Sequence, residues 1–317
     1  MKKRKKKNKK TIKIFKYIFI VIIFFIISFF VYIAINAPEF NEELLYKTES
    51  TNIYDNKGDL ITTIGNEKRI IAEYNELPEV LKDAIISVED ARFYEHNGLD
   101  IPRFLKASVN YLLGNNIGGA STLTMQISKN TYTDTSASGI KGIIRKFTDI
   151  YISMFKIERN YSKDKILEFY VNAPYLGASS YGVEMASITY FNKDVYDLNL
   201  IEASFLAGMF QAPSQYDPYI NIDNANKRKN EVLSLMLRHG YITNTEYEIA
   251  KNENIENYIV KNNNNISEYQ GFIDTVVEEV IKKEKINPYE VSMDIYTTMS
   301  KEKQDVINNF YKKHKFK

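Results

Sequence analysis

The sequence has no cysteine among its 317 residues. The chain can therefore form no disulfide, no thiolate metal site and no cysteine nucleophile. The HExxH, Walker and EF-hand patterns are absent as well, and no segment repeats. Two SxxK matches, which begin at Ser153 and Ser162, are interpreted as chance matches, because the KTG motif of serine acyl enzymes is also missing.

The net charge is only +2, from 42 basic and 40 acidic side chains, but the two signs are segregated along the chain. The first ten residues carry eight basic side chains, Lys13 and Lys16 follow, and the first acidic residue is Glu39. From residue 37 onward the chain carries 32 basic and 40 acidic side chains, a net of −8. This balance argues against nucleic acid as a partner of that part.

Residues 17–35 form an apolar stretch in which Ser28 is the only polar side chain that is not aromatic. At about 1.5 Å per residue, a helix of this length spans the roughly 30 Å hydrocarbon core of a bilayer. We predict a basic cytoplasmic tail over 1–16 and a transmembrane helix over 17–36, with the remainder outside by the positive-inside rule. A cleaved signal peptide is the alternative, for which Ala34 and Ala37 are weak cleavage sites. A location at the outer membrane surface favours lipid-linked or cell-envelope substrates.

The external part is predicted to be mainly α, after a stem over 37–75. Within 50–72, apolar alternation around residues 51, 53 and 54 and around residues 60, 61 and 64 predicts a short β-hairpin or paired extended segments, in the role of a pedestal. After Pro78 the apolar period becomes helical, with Leu81, Ala84, Ile85 and Val88 on one face, and helical patterning continues to about residue 250. Further segments are predicted as loops at 115–119, 133–139 and 211–218, a surface connection over 252–268, a helix over 269–285 and a strand over 292–299.

Glu89 and Asp90 follow directly on this apolar helical face. A carboxylate at the end of a buried face is partly desolvated, which raises its pKa toward the value that a general acid or base needs near neutral pH. The structural alternative is a carboxylate that caps or pairs at a helix end. His96, a few residues later, is more often a structural hydrogen-bonding residue than a catalyst.

A second candidate is the segment GGASTLTMQISKN at 118–130. Ser121 and Thr122 are favoured helix N-cap residues, and the helix that follows places Thr122, Gln126 and Lys129 on one face. A hydroxyl, an amide and an ammonium beside the positive end of a helix dipole suit a phosphate. An ordinary capped helix with a polar solvent face remains an equal alternative.

A third candidate is the segment RKFTD at 145–149. Arg145 and Asp149 are spaced i, i+4, so their simplest role is a helix-surface ion pair worth about 0.2 to 0.5 kcal/mol. Asp149 is alternatively a second active-site carboxylate.

In this order and spacing, the segments resemble the peptidoglycan glycosyltransferase family, glycosyltransferase family 51. This is the polymerase module of class A penicillin-binding proteins and of monofunctional transglycosylases. The resemblance runs from about Ile53 to Ala250. Its blocks are EDARFYEHNGLD at 89–100, GGASTLTMQISKN at 118–130, RKFTD at 145–149, KDKILEFYVN at 163–172 with the nearby YLG, and YGVEMASITYF at 181–191.

The resemblance implies a mainly α, lysozyme-like domain over 76–250 that polymerises lipid II by inverting β-1,4 transfer and releases polyprenyl pyrophosphate. It implies that Glu89 is the general base and that Asp149 is a second catalytic carboxylate. The substrate-binding positions that it implies are Asp90, Phe93, His96, Lys106, Gly119, Ser121, Thr122, Gln126, Lys129, Asn130, Lys141, Arg145, Lys146 and Asn172. It makes Mg²⁺ or another divalent cation a pyrophosphate partner, although no spacing here shows a metal site.

The resemblance also implies partners and an organisation. The partners are lipid II, the growing glycan strand, membrane lipid, and a transpeptidase or other cell-wall synthesis proteins, with no nucleic acid. The location implied is a bacterial cell membrane. Residues 251–317, which contain DIYTTMSKEKQ at 294–304, resemble the approach to a transpeptidase domain. We expect either a fragment of a two-domain enzyme or a natural transglycosylase-only form.

Several positions depart from the family pattern. Asp149 stands where the family has glutamate, and a shift of about 1 Å in a catalytic group can cost on the order of 100-fold in rate. Glu158 is expected on the opposite helical face, two and a half turns away. Met125 replaces a glutamine, Asn192 replaces a glycine, and Lys106 and Lys141 replace arginines, losing bidentate geometry while keeping charge.

These departures leave three hypotheses. The leading one is an active glycosyltransferase. The second is a degenerate, non-catalytic relative that binds lipid II or acts as a scaffold. The third, suggested only by the lysozyme-like fold and two carboxylates, is a glycan-cleaving hydrolase.

Overall fold

The computed structural model describes residues 2–46, 51–64, 70–114, 119–133, 137–178, 180–260, 269–284, 286, 288 and 291–313. Helices dominate these residues, which confirms the predicted mainly α class. They are α1 (Lys2–Asn36), α2 (Glu79–Glu89), α3 (Ile101–Leu112), α4 (Leu123–Tyr132), α5 (Gly139–Ile152), α6 (Lys163–Asn172), α7 (Gly182–Phe191), α8 (Leu200–Met209), α9 (Pro213–Tyr216), α10 (Ile222–His239), α11 (Asn244–Asn252), α12 (Gln270–Glu284) and α13 (Lys301–Lys313). The strands are β1 (Thr51–Tyr54), β2 (Leu60–Ile64) and β3 (Asp294–Tyr296).

The chain forms two compact units. The first, called the anchor unit here, comprises Met1–Asn41 and His96–Tyr161, and the second, the core unit, comprises Glu42–Glu95 and Ser162–Lys317. The boundaries predicted after residues 16, 36, 75 and 250 stay predictions. Parts of the predicted loops and connection, at 115–118, 134–136 and 261–268, lie outside the described residues.

Helix α1 is the most apolar element of the anchor unit. Its segment Lys13–Asn36 is long and apolar enough to cross a membrane, in agreement with the predicted span. Near its C-terminal end the rings of Phe29 and Phe30 pack edge-on against Phe147 of α5, with centroids 5.3 and 5.7 Å away. Such aromatic contacts join α1 to the body of its unit.

Helices α3 and α4 begin at residues that satisfy their first backbone N–H groups. The Asp100 carboxylate accepts from the Arg103 N–H at 2.9 Å, and the Thr122 hydroxyl accepts from the Met125 N–H at 3.2 Å. The predicted N-cap at Thr122 is thereby confirmed.

Helix α5 continues directly into a π-helical segment, Ser153–Ile157. A regular period of 3.6 residues predicts Glu158 on the opposite helical face, and the wider π turn changes that phase. The Glu158 carboxylate accepts a hydrogen bond from the Thr124 hydroxyl at 2.6 Å. Glu158 therefore joins α4 to the end of this segment.

The core unit is built around α2, α8 and α10. Leu81, Ala84 and Ile85 of α2 are fully buried, as the helical period predicted, whereas Val88 on the same predicted face is half-buried. Helix α8 carries mainly small and apolar side chains, and each residue from Glu202 to Met209 is buried. Lys229 of α10 is also buried, and its ammonium donates to the carbonyl oxygens of Ala250 and Glu253 near the end of α11.

A small sheet with strand order β2-β1-β3 lies in the same unit. Strands β1 and β2 form the predicted antiparallel hairpin, and β3, inside the predicted strand 292–299, pairs with β1 in parallel. Ile53 and Ile64 point to one face and pack with Ile273 and Val277 of α12. The covered face of this sheet explains the apolar alternation in its strands.

Candidate functional site

Glu89 is the last residue of α2 and is half-buried. The next residue, Asp90, ends the helix: its N–H donates to the Ile86 carbonyl at 3.0 Å, and its own carbonyl accepts from the Phe93 N–H at 2.8 Å. Asp90 is completely buried. The chain thus turns sharply after Glu89 and leaves this carboxylate at the edge of a well-packed helix.

Phe93 anchors the short 3₁₀ turn that follows. Its ring is completely buried, the Lys163 ammonium lies 4.4 Å from the ring centroid, and the Tyr94 ring packs edge-on. The buried ring holds this turn in place. The substrate contact implied for Phe93 stays a prediction.

Tyr170 of α6 is a residue near the two carboxylates that the sequence interpretation missed. Its buried ring stacks on Phe210 with centroids 5.0 Å apart. Burial, and then the negative charges of Glu89 and Asp90, hold the pKa of Tyr170 well above its usual range. A single sequence gives no signal for this proximity, because Tyr170 looks like one more apolar residue of α6.

Asn172, predicted as a substrate-binding residue, is completely buried. Its side-chain oxygen accepts from the Ala72 N–H at 3.0 Å, and its amide nitrogen donates to the carbonyl oxygens of Ala72 and Glu168 at 2.8 and 2.9 Å. These bonds leave the amide facing the protein interior. Asn172 therefore bridges α6 and the segment before α2, and its assignment to substrate binding stays a prediction.

In the anchor unit, Thr122 also has a buried side chain. Its hydroxyl donates to the Gly98 carbonyl at 2.8 Å while it caps α4. Gly98 has a φ of +83°, and a Cβ there would lie 2.9 Å from the Ser153 carbonyl carbon. The Thr122 hydroxyl therefore makes hydrogen bonds inside the protein, and its predicted contact with a phosphate stays a prediction.

Lys146 contacts the loop that precedes α4. Its ammonium donates to the Ser121 hydroxyl at 2.7 Å, in the loop that leads into α4. Burial lowers the pKa of Lys146, and the positive charges of Arg145, Lys129 and Arg103 lower it further, while Asp149 acts in the opposite direction. Lys146 and the three cations whose charges act on it, Arg103, Lys129 and Arg145, are called the cationic region here. Within it, Lys146 contacts the loop before the N-terminus of α4, where the helix dipole is positive, whereas Lys129 lies in the last turn of α4.

Asp149 lies on α5 with only 2% of its surface exposed. Its Oδ1 accepts from the Thr133 hydroxyl at 2.9 Å and from the Ser128 hydroxyl at 3.2 Å. Burial raises the pKa of Asp149, while the hydrogen bond from Thr133 and the charge of Arg145 act against that rise. The carboxylate connects α4 to α5.

The remaining predicted site residues all belong to the anchor unit and differ in exposure. His96, Gln126, Lys129 and Arg145 are half-buried, whereas Lys106, Gly119, Asn130 and Lys141 are exposed. The structure therefore brings Ser121 and Lys146 into contact, with the charges of Lys129 and Arg145 acting on Lys146, and it leaves Lys106 and Lys141 on the surface. The site assignments as a whole stay predictions.

The two SxxK serines have structural roles, as their interpretation as chance matches requires. The buried Ser153 hydroxyl donates to the Asp149 carbonyl at 2.6 Å, and Ser162 caps α6 by accepting from the Lys165 N–H at 3.2 Å. Among the described residues, no group of three or more His, Asp or Glu side chains could hold a metal ion.

Comparisons with known proteins assign the chain to a family. A model of the family described as Transglycosylase matches residues 57–237. Penicillin-binding protein 1A of Streptococcus oralis is 37% identical over 96% of this chain and 49% of its own length. Penicillin-binding protein 1A/1B of Bacillus subtilis (strain 168) is 36% identical over 96% of this chain and 34% of its own length. The chain spans half or less of the length of these curated relatives.

A solved structure is also similar. The crystal structure of penicillin-binding protein 1A from Haemophilus influenzae matches 81% of this chain and 28% of its own chain, with a TM-score of 0.39 at 24% identity. The family match covers more than half of the residues and contains Glu89, Ser121, Lys146 and Asp149. It confirms the resemblance seen in the sequence motifs. The chain belongs to the transglycosylase family.

Proposed function

We propose that the chain is a membrane-anchored peptidoglycan glycosyltransferase that polymerises lipid II into β-1,4 glycan strands. Glu89 takes the proton from the 4-hydroxyl of the acceptor N-acetylglucosamine. The oxygen then attacks the anomeric carbon of the growing strand, and the bond from that carbon to the pyrophosphate oxygen breaks. The electron pair leaves with the polyprenyl pyrophosphate, and the anomeric configuration inverts.

The position of Glu89 supports its role as base. A general base must be reachable by substrate and must keep its orientation. Glu89 is half-buried at the end of α2, a helix whose inner face is fully packed, and the buried Asp90 fixes the turn after it. These features give a carboxylate that is accessible on one side and held on the other.

The observation that carries the proposal is the contact between Lys146 and Ser121 inside the cationic region. The leaving group develops negative charge on its bridging oxygen as the bond breaks, and preorganised cations stabilise such charge. Lys146 supplies this positive charge beside the N-terminus of α4, a ten-residue helix with a positive dipole end, and the charges of Arg145 and Lys129 act on Lys146. The Ser121 hydroxyl orients the Lys146 ammonium.

The proposal includes the membrane and the partners. Helix α1 would anchor the chain with its N-terminus in the cytoplasm and the catalytic residues outside. The catalytic residues would then lie close to lipid II, whose polyprenyl tail stays in the bilayer. Large apolar side chains of α3 and α5 are exposed, among them Leu105, Val109, Ile140 and Ile143, and they support contact with the membrane interface. A transpeptidase acting on the product strand is a further proposed partner.

A divalent cation such as Mg²⁺ belongs to the proposal only as a partner of the substrate pyrophosphate. The described residues offer no group of three His, Asp or Glu ligands. In the proposed mechanism the cationic side chains stabilise the negative charge of the leaving group.

The experiment that tests the proposal is lipid II polymerisation by the full chain in detergent with Mg²⁺. Glu89→Gln keeps the size of the side chain and removes its basicity, so we expect the glycan product to disappear. Glu248→Gln, at an exposed position of α11, is the matched control and should polymerise like the wild type. Equal activity of Glu89→Gln and Glu248→Gln would refute Glu89 as the base.

One observation favours a second candidate function, a non-catalytic relative that binds lipid II or acts as a scaffold. Asp149, which stands where the family has glutamate, is almost fully buried and accepts two hydroxyl hydrogen bonds. Comparison of the wild type with Asp149→Glu separates the two functions. Polymerisation by the wild type supports the enzyme, whereas a silent wild type with an active Asp149→Glu variant supports the binding role.

A further inference from the structure

The loop from Gly119 to Thr122, which leads into α4, is bonded to three other segments of the anchor unit. The Arg103 Nε of α3 donates to the Gly119 carbonyl at 2.8 Å. The Lys146 ammonium of α5 donates to the Ser121 hydroxyl at 2.7 Å, and the Thr122 hydroxyl donates to the Gly98 carbonyl at 2.8 Å. The three bonds together fix the approach to the N-terminus of α4.

The bond from Arg103 holds the part of this loop that packing leaves open. A Cβ built on Gly119 would meet no atom of the described chain within 4 Å. Gly119 is also exposed, and glycine has the widest backbone freedom of any residue. Side-chain packing therefore leaves the backbone of Gly119 free, and the hydrogen bond from the Arg103 guanidinium restricts the direction of its carbonyl.

Arg103 is itself well positioned for this role. It is the third residue of α3, its backbone N–H is bonded to the buried Asp100, and its side chain is half-buried. Lys106, one turn later, is exposed beside the exposed Leu105 and Val109. The arginine that contacts the loop is therefore at position 103, whereas the family resemblance places a cation at position 106.

Charge adds a second contribution. A guanidinium stays protonated at every pH of interest and presents its donors in a rigid planar fork. Its charge acts on Lys146 together with the charges of Arg145 and Lys129. Arg103 thus belongs to the cationic region as well as to the loop contacts.

We propose that Arg103 is a positioning residue that fixes the Gly119–Thr122 loop for binding of the pyrophosphate leaving group. This inference rests on the proposed function, since it names a further residue for the same reaction. Arg103 acts through the loop and the Lys146–Ser121 pair. Its loss should lower the affinity for pyrophosphate and the rate of transfer, and it should leave the global fold intact.

The test compares Arg103→Leu and Arg103→Lys in the full chain with Arg159→Leu as the matched control. Arg159 is an exposed arginine of the same unit. Three quantities are measured: the inhibition constant of inorganic pyrophosphate in lipid II polymerisation, kcat/KM for lipid II, and the hydrogen exchange of the peptide that contains Ser121 and Thr122. The melting temperature reports the global fold.

We expect Arg103→Leu to weaken pyrophosphate inhibition and to lower kcat/KM by about 10- to 100-fold, the range expected for a lost hydrogen bond to a charged group. Exchange of the Ser121–Thr122 peptide should become faster, with a melting temperature close to that of Arg159→Leu. Arg103→Lys keeps a charge and a donor at this position and should recover part of the loss. Values for Arg103→Leu within about two-fold of those for Arg159→Leu would overturn the inference.

Two further outcomes are decisive. If Arg103→Leu does not fold, Arg103→Lys carries the test: a weakened affinity in a folded Arg103→Lys variant supports the inference, and an unchanged one overturns it. If the wild type makes no glycan, the proposed function fails, and direct calorimetric binding of inorganic pyrophosphate replaces inhibition. Weaker binding by Arg103→Leu than by Arg159→Leu then still supports the role of Arg103, and equal binding, or none by the wild type, overturns it.

Discussion

In the core unit, helix α8 is buried at each residue from Glu202 to Met209, whereas in the anchor unit helices α3 and α5 expose large side chains such as Leu105 and Ile140. The two units also differ in the candidate site residues that they hold in place. The core unit fixes one carboxylate, Glu89, at the end of a packed helix. The anchor unit fixes cations through hydrogen bonds to a loop, on helices whose other faces are apolar and open.

The comparison predicts whether a substitution should mainly change stability or activity. Tight packing is costly to disturb, so changes in the core unit should appear mainly as lost stability. The cationic region depends on a few hydrogen bonds and charges, so changes there should appear mainly as lost activity. The next four predictions test that contrast, beginning with the largest effect.

Lys146→Ala should have the largest effect. It removes the cation that is bonded to Ser121, and loss of one such stabilising group typically lowers kcat by about 100- to 1,000-fold. Lipid II polymerisation measures this, with unfolding in urea as the check on stability. Lys156→Ala, which breaks only a surface ion pair with Glu39, is the control. Similar activities of the two variants would contradict the assignment of Lys146.

Asn172→Ala should be the most damaging change to stability. It leaves the backbone N–H and carbonyl of Ala72 without their partner in a buried site, at a cost of about 2 to 4 kcal/mol in the free energy of unfolding. Urea titration of the purified chain measures it. Asn252→Ala, at an exposed asparagine of α11, should cost far less. Normal stability with lost lipid II binding would instead support the sequence-based assignment of Asn172 to substrate binding.

Gly98→Ala separates backbone strain from steric contact. Gly98 and Gly114 both have positive φ, but an added Cβ meets backbone atoms only at Gly98. Gly114→Ala should cost about 1 kcal/mol from the left-handed conformation alone, and Gly98→Ala about 2 to 3 kcal/mol. Urea unfolding of the two variants measures the difference. Equal costs would show that the segment at Ser153 moves to make room.

Glu184 of α7 should make the core unit less stable as the pH rises. Burial, with the nearby Asp194 and Glu76 carboxylates, raises the pKa of Glu184 from 4.5 to about 7, while a bond from the Val195 N–H opposes the rise. The stabilising contribution is complete below the unfolded pKa of 4.5 and is lost as the pH passes about 7.

Glu184→Gln should therefore reduce the loss of unfolding free energy between about pH 5 and about pH 8 by about 1 to 2 kcal/mol. Urea titrations at the two pH values measure it, and Glu248→Gln should behave like the wild type. A pH dependence unchanged by Glu184→Gln would assign the effect to another group, of which Asp217, with its pKa raised by burial to about 6, is the first to test.

Much of the local structure could be predicted from the sequence. Thr122 caps α4, the inner face of α2 is buried, β1 and β2 pair, and residues 13–36 form an apolar helix. Each of these features depends on residues within a few positions of one another, so its pattern is visible in a single sequence. The family motifs added the candidate residues of the site.

Other features could not be predicted in this way. Asn172 bonds to Ala72 across 100 positions, and Arg103 bonds to Gly119 across 16. The π-helical turn that begins at Ser153 changes the helical phase, so a regular period does not predict the position of Glu158. A buried amide and an exposed one look alike in a sequence, because burial depends on which distant segment covers the residue.

The sequence by itself determined the long apolar helix near the N-terminus, the helical class, the carboxylate at the end of α2 and the cationic segments, because short-range periodicity and residue chemistry suffice for these. Only the tertiary structure decided that Asn172, Phe93 and Thr122 turn inward while Lys146 meets Ser121. The physical reason is that a polar side chain takes the hydrogen-bond partner that folding brings within about 3 Å. That partner is set by the packing of whole helices, which no local pattern records.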